Sequence, residues 1–81
     1  MMITTDDVRR LLAADDDAVL VLVEGRVDVV EPAALDTDDY RGALQITTRS
    51  ELVAGSGTNL SERELAEQAG ALDSAVSELG G

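Results

Sequence analysis

Aliphatic side chains fill every position from Val19 to Val23, inside the stretch AVLVLVEGRVDVVEP, with no polar residue between them. A strand with one solvated face would alternate apolar with polar, so this run predicts a strand covered on both sides. Elsewhere the apolar period lengthens. Val8, Leu11 and Leu12 recur at helical spacing in ITTDDVRRLL, and Leu65, Ala69, Leu72, Val76 and Leu79 do the same in LSERELAEQAGALDSAVSELGG.

Both helices carry explicit start signals. Thr4 with Asp7 and Ser61 with Glu64 have the spacing of capping boxes, and Ile3 with Val8 and Leu60 with Leu65 that of hydrophobic staples. Asp6 and Asp7 favour the positive end of the first helix, which is expected to end near Asp15-Asp16-Asp17. Along the last helix Glu62, Glu67, Asp73 and Glu78 turn away from the apolar line. Gly70 weakens its middle by about 1 kcal/mol relative to alanine, and Gly80 is placed to stop it in a left-handed cap.

Between the helices the pattern predicts strands over 19–23, 26–31 and 43–47. A tight turn at Glu24-Gly25 sets Val23 opposite Arg26, Leu22 opposite Val27, Val21 opposite Asp28 and Leu20 opposite Val29. One face then reads Leu20, Leu22, Val27 and Val29, joined by Leu44 and Ile46. The other reads Val19, Val21, Val23, Arg26, Asp28 and Val30, joined by Gln45 and Thr47. Pro32 ends the second strand, having no N–H for the ladder, and Ala33, Ala34 and Leu35 are expected to form one helical turn behind it. The fold class is α+β: a small three-stranded antiparallel sheet packed against an N-terminal helix and a longer C-terminal helix, in a single domain over residues 1–81.

Two helices suffice for the wholly apolar face. The valines of the other, Val19, Val21, Val23 and Val30, are expected to lie under the segment TRSELVAG or to form an interface with a second copy of the chain. One helix on each face is the alternative.

Composition narrows the chemistry. Seventeen acidic residues stand against six arginines, with no lysine, and the net charge is -11. Such a surface repels phosphate backbones and anionic membranes, so neither nucleic acid nor membrane is an expected partner. Histidine and cysteine are absent, which removes disulfides, imidazole and thiolate metal sites, and His-dependent triads. No cofactor, metal site or catalytic residue is expected; a Tyr40-Arg41 pair is the least implausible catalytic site. The start MMITTDDVRR lacks the basic flank and apolar core of a secretory signal, and the expected compartment is the cytoplasm. Arginine without lysine, with abundant Ala, Val and Asp, also suits a high-GC genome or salt adaptation.

Short motifs resolve into ordinary structure. DTDDY offers Asp36, Asp38 and Asp39, but Arg41 and Thr47 fall where a calcium loop needs glycine and glutamate, so a solvated loop with Arg41 as counter-ion is expected. Gly55-Ser56-Gly57 lacks the lysine of a phosphate loop and reads as a flexible connection. LDSAV resembles the Asp-Ser-Leu attachment site of acyl carrier proteins at Asp73 and Ser74, although there the serine begins a mid-chain helix. LVLVEGRVDVVEPAAL resembles the opening of the anti-sigma-factor antagonist fold over that stretch alone. Gly80-Gly81 resembles the end of ubiquitin-like modifiers and sulfur carriers, in which the pair lies on an extended tail instead of after a helix. The functional expectation is a non-catalytic protein-interaction module that homodimerises through its valine face. The alternatives are a regulator of a basic protein partner, antitoxin-like or anti-sigma-like, and a modifier using Gly81.

Overall fold

The computed structural model describes residues 3–80, and of Leu79 and Gly80 the backbone alone. In chain order the elements are α1 (Thr5–Ala13), β1 (Val19–Val23), β2 (Arg26–Val30), two 3₁₀ turns (Pro32–Asp36 and Asp38–Tyr40), β3 (Leu44–Thr48), α2 (Arg49–Ser56) and α3 (Glu62–Gly80). The strands form an antiparallel sheet of order β2-β1-β3, so the aliphatic strand is the central one.

Local chemistry sets the element boundaries. Thr4 accepts the Asp7 amide while Asp7 accepts that of Thr4, closing the capping box of α1. Ile3 and Val8, the staple pair, are fully buried. Ser61 and Glu64 exchange the same two hydrogen bonds at the start of α3, at 3.1 and 3.2 Å. The β1–β2 turn has Glu24 at φ 50° and Gly25 at φ 79°, the left-handed pair of a hairpin whose twist matches its strands. Its register is the expected one, from Val23 opposite Arg26 to Val19 opposite Val30.

The third strand departs from simple alternation. Thr47 pairs with Leu20 and Gln45 with Val21, which leaves Ile46 as the extra residue of a bulge. Thr47, expected on the valine face, stands opposite Leu20 on the other one. The strand also runs one residue later than the spacing predicts.

All three helices contribute to one core. Ile3, Val8, Leu11, Ala18, Leu20, Leu52, Leu65, Ala69 and Val76 form it, with Leu22, Val27, Val29 and Ile46 of the sheet packed against its margin. TRSELVAG does not cover the valine face. It becomes α2, capped by Thr48 on the Glu51 amide, and its Leu52 enters the helix-side core. The helix continues through Gly55 and Ser56 to a cap at Gly57, φ 81°, where a flexible connection was expected.

The opposite face is closed by the chain itself. Val19, Val21 and Val30 pack beneath Ala34, Leu35, Tyr40 and Ala43, all from the segment linking β2 to β3. Val19, Val21, Val23 and Val30 are 4%, 0%, 5% and 9% exposed, so they form no open patch, and the expected interface through them is corrected. The cover is the turn foreseen behind Pro32, extended by a second turn through Tyr40.

Helices α1 and α3 run antiparallel over the sheet. Arg9 pairs with Glu62 at one end, and the Ile3 amide donates to Asp73 Oδ1 at 3.0 Å near the other. Asp73, expected to face solvent, is thus a partner for the backbone ahead of α1. The last helix runs through Gly80 and does not stop before it. The side chain of Leu79, and Gly81, lie outside the described residues.

Candidate functional site

The arginines are largely committed inside the molecule. Arg9 pairs with Asp6 and Glu62, Arg10 with Asp7 and Asp28, Arg41 with Asp38, Arg49 with Asp16, and Arg63 with Glu67. Most of these pairs are exposed and contribute little stability each, about 0–1 kcal/mol. Their larger effect is on the surface field, because they neutralise some carboxylates and leave others bare. Arg49 is the most enclosed. Its Nε donates to the Leu12 carbonyl at 3.1 Å and its Nη1 to Asp16 at 3.0 Å, tying α2 to the end of α1.

Beside that tie lies a cleft of about 340 Å³ lined by Asp15, Asp17, Glu31, Pro32 and Ala33. The α1–β1 connection supplies the two aspartates, and the end of β2 supplies Glu31. None of the three has an arginine within ion-pair distance among the described residues. Glu31 is pushed above the ordinary glutamate value, first by its hydrogen bond with Asp15, then by the Asp15 charge, burial and the Asp17 charge. Three carboxylates gathered without a cation form a locus of unbalanced negative charge. Among the described residues no three such groups are arranged to hold a metal ion.

A second cluster centres on Asp28. Its Oδ2 accepts the Tyr40 hydroxyl at 2.8 Å, and its Oδ1 accepts the Val29 amide at 3.0 Å and lies 3.5 Å from Arg10 Nη2. The carboxylate on edge strand β2 thus links the segment over the valine face to α1. Tyr40 is raised above the usual tyrosine range by this hydrogen bond, with burial and the Asp28 charge adding to it, Arg26 opposing and Asp39 adding. Its hydroxyl serves as a structural donor, and Arg41 turns away to Asp38, so the Tyr40-Arg41 pair does not converge on one point.

Charge is unevenly spread. From Gly42 to Leu60 the charged residues are Arg49 and Glu51, which cancel, although the whole chain stands at -11. This stretch includes β3, an edge strand without charged side chains, and Leu44, the exposed large hydrophobic residue among those described, at 37%. The bulge at Ile46 interrupts the edge, a device that discourages continuous strand addition.

Among the candidate residues of the sequence, the valines are interior, and Asp36, Asp38 and Asp39 lie in the loop with Arg41 on Asp38, as a solvated loop requires. The cleft carboxylates Asp15 and Asp17 were visible as an acidic run, whereas their approach to Glu31 depends on tertiary structure. Among the described residues no helix is long and apolar enough to cross a membrane. Comparison with protein-family models, curated proteins and solved structures finds no match for this chain.

Proposed function

We propose that the protein is a non-catalytic interaction module that docks a basic protein partner, with the Asp15–Asp17–Glu31 cleft receiving a cationic side chain. The observation that carries this reading is a concave group of three carboxylates without an arginine, in a molecule that pairs five of its six arginines elsewhere. A guanidinium seated there meets charge from two chain segments and relieves the repulsion between them. The remaining acidic surface steers a basic partner from a distance.

Titration with hexa-arginine by calorimetry tests it. Binding is expected to weaken with salt, and the triple substitution Asp15→Asn, Asp17→Asn, Glu31→Gln to lower affinity about ten-fold, as removal of a few partly exposed charge pairs would. Asp36→Asn, Asp38→Asn, Asp39→Asn removes the same formal charge from another loop and is expected to matter much less. Equal losses in the two variants would reduce the cleft to a share of the general surface charge.

Self-association is a second reading, moved from the valine face to the charge-poor side. What supports it is the lack of net charge from Gly42 to Leu60 together with exposed Leu44. Two molecules of equal charge approach there with the least repulsion, so a dimer is expected to strengthen with salt, opposite to the docking of a basic partner. Light scattering across a salt series distinguishes the two, and a monomer at every salt concentration removes the dimer.

A further inference from the structure

The segment from Pro32 to Ala43 covers the valine face, yet its backbone hydrogen bonds are local. The Ala34 amide donates to Glu31, Thr37 to Ala34, Tyr40 to Thr37, Arg41 to Asp38 and Ala43 to Tyr40. The Thr37 hydroxyl donates to the Ala34 carbonyl, and the Arg41–Asp38 ion pair is local too. Among the described residues, one hydrogen bond ties this segment to the sheet beneath it: Tyr40 to Asp28, at 2.8 Å. The remaining attachment is apolar contact from Ala34, Leu35, the Tyr40 ring and Ala43 onto Val19, Val21 and Val30. Two of those four residues are alanines, which bury little area. Short 3₁₀ turns have poor hydrogen-bond geometry and do not persist alone, so their order depends on the surface they lie on.

We propose that Pro32–Ala43 is a strap that opens as a unit while the helix-side core stays folded, and that the Tyr40–Asp28 hydrogen bond is its latch. Neither end fastens the strap to the sheet: Pro32 has no N–H to donate to it, and Gly42, at φ 85° two residues before β3, is a backbone position that can absorb the change of a hinge. The acceptor is fixed independently of the strap, because Asp28 is also held by the Val29 amide and Arg10. Opening therefore separates the tyrosine from a carboxylate that stays in place. Facing the latch are Arg26 and Asp28 from β2, Asp39 from the strap and Arg10 from α1. An open strap uncovers the valines of β1 and β2, so the apolar strip read from the sequence becomes a concealed surface.

Hydrogen exchange followed amide by amide in wild type and Tyr40→Phe tests the proposal. Phenylalanine keeps the ring and removes the donor. The amides of Ala34, Thr37, residue 40 and Ala43 are expected to exchange roughly ten-fold faster, while those of α1 and α3 stay within about two-fold of wild type. Leu35→Ala, which thins the apolar contact without touching the latch, is expected to give the same regional pattern. Uniform acceleration through the molecule would show that Tyr40 acts on global stability alone. Unchanged strap amides in Tyr40→Phe would show that the hydrogen bond fastens nothing. Either result overturns the proposal.

Discussion

Leu20 and Val21 are neighbours on the central strand, point to opposite faces of the sheet, and are both fully buried. Over Leu20 lie Ile3 and side chains from all three helices, including Leu11, Leu52 and Leu65, and those helices are joined by the Arg9–Glu62 pair, by the Asp73 contact with the Ile3 amide and by Arg49 on the Leu12 carbonyl. Over Val21 lies a strap of two short turns with alanines among its contact residues and one long-range hydrogen bond. Equal dryness thus results from unequal fastening. Solvent exposure measures what the folded chain covers, whereas resistance to opening depends on how many independent ties must break together.

The largest test of this contrast is a pair of core truncations. Leu20→Ala is expected to cost about 2–5 kcal/mol in urea unfolding, because the helix-side core has several rigid neighbours and little freedom to close the void. Val21→Ala is expected to cost less, about 1–2 kcal/mol, since fewer methyl groups are lost and the strap can settle into the gap. If the valine truncation matches the leucine one, the strap is as rigid a cover as the helices and the comparison breaks.

A smaller effect is expected at the helix cap. Thr4→Ala removes the acceptor for the Asp7 amide and is expected to lower the unfolding midpoint by the equivalent of about 1 kcal/mol. It should leave the exchange of strap amides relative to the global rate unchanged, because the cap belongs to the helix side. A selective loss of strap protection in this variant would mean that Arg10 and Asp28 couple α1 to the strap more tightly than the apolar packing does.

The smallest effect concerns pH. Glu31 is raised in the folded chain, so the folded state binds its proton more tightly than the unfolded state. Its ionised form beside Asp15 and Asp17 therefore opposes folding at neutral pH, and this penalty is relieved as pH falls through the raised value toward 4.5, the ordinary one. Glu31→Gln is expected to stabilise slightly at neutral pH and to flatten that part of the stability curve. A loss of stability in urea midpoints near neutral pH would instead identify the carboxylate as a needed acceptor. Tyr40 acts at the other end of the scale. Its contribution is complete below the usual tyrosine value of 10.0 and is lost as pH rises through the higher folded one.

The features readable from the sequence were those set by neighbours in the chain. Thr4 with Asp7, Ser61 with Glu64 and the left-handed Glu24-Gly25 turn are short-range solutions to short-range requirements, and they fix both major helices and the hairpin register. The bulge at Ile46 was not readable, because LQITT alternates acceptably with or without it and the choice depends on docking against β1. The cover of the valine face was half readable. Ala34, Leu35, Tyr40 and Ala43 are the residues of an acidic loop that pack on the valines, but their spacing follows neither the helix nor the strand period, since successive short turns change direction at Thr37. The acidic cleft shows the same limit. Asp15 and Asp17 belong to a visible charge run, whereas Glu31 reaches them through the hairpin fold.

Tyr40 is the chain's lone aromatic ring, with neither tryptophan nor phenylalanine beside it. All side-chain ultraviolet absorption near the tyrosine band therefore originates on the strap, and the protein carries a built-in optical reporter for that one region. Far-ultraviolet dichroism, dominated by α1, α2 and α3, reports on the other side of the sheet. Heating one unlabelled sample while recording both bands would show, without any substitution, whether the two sides lose their order together or one after the other.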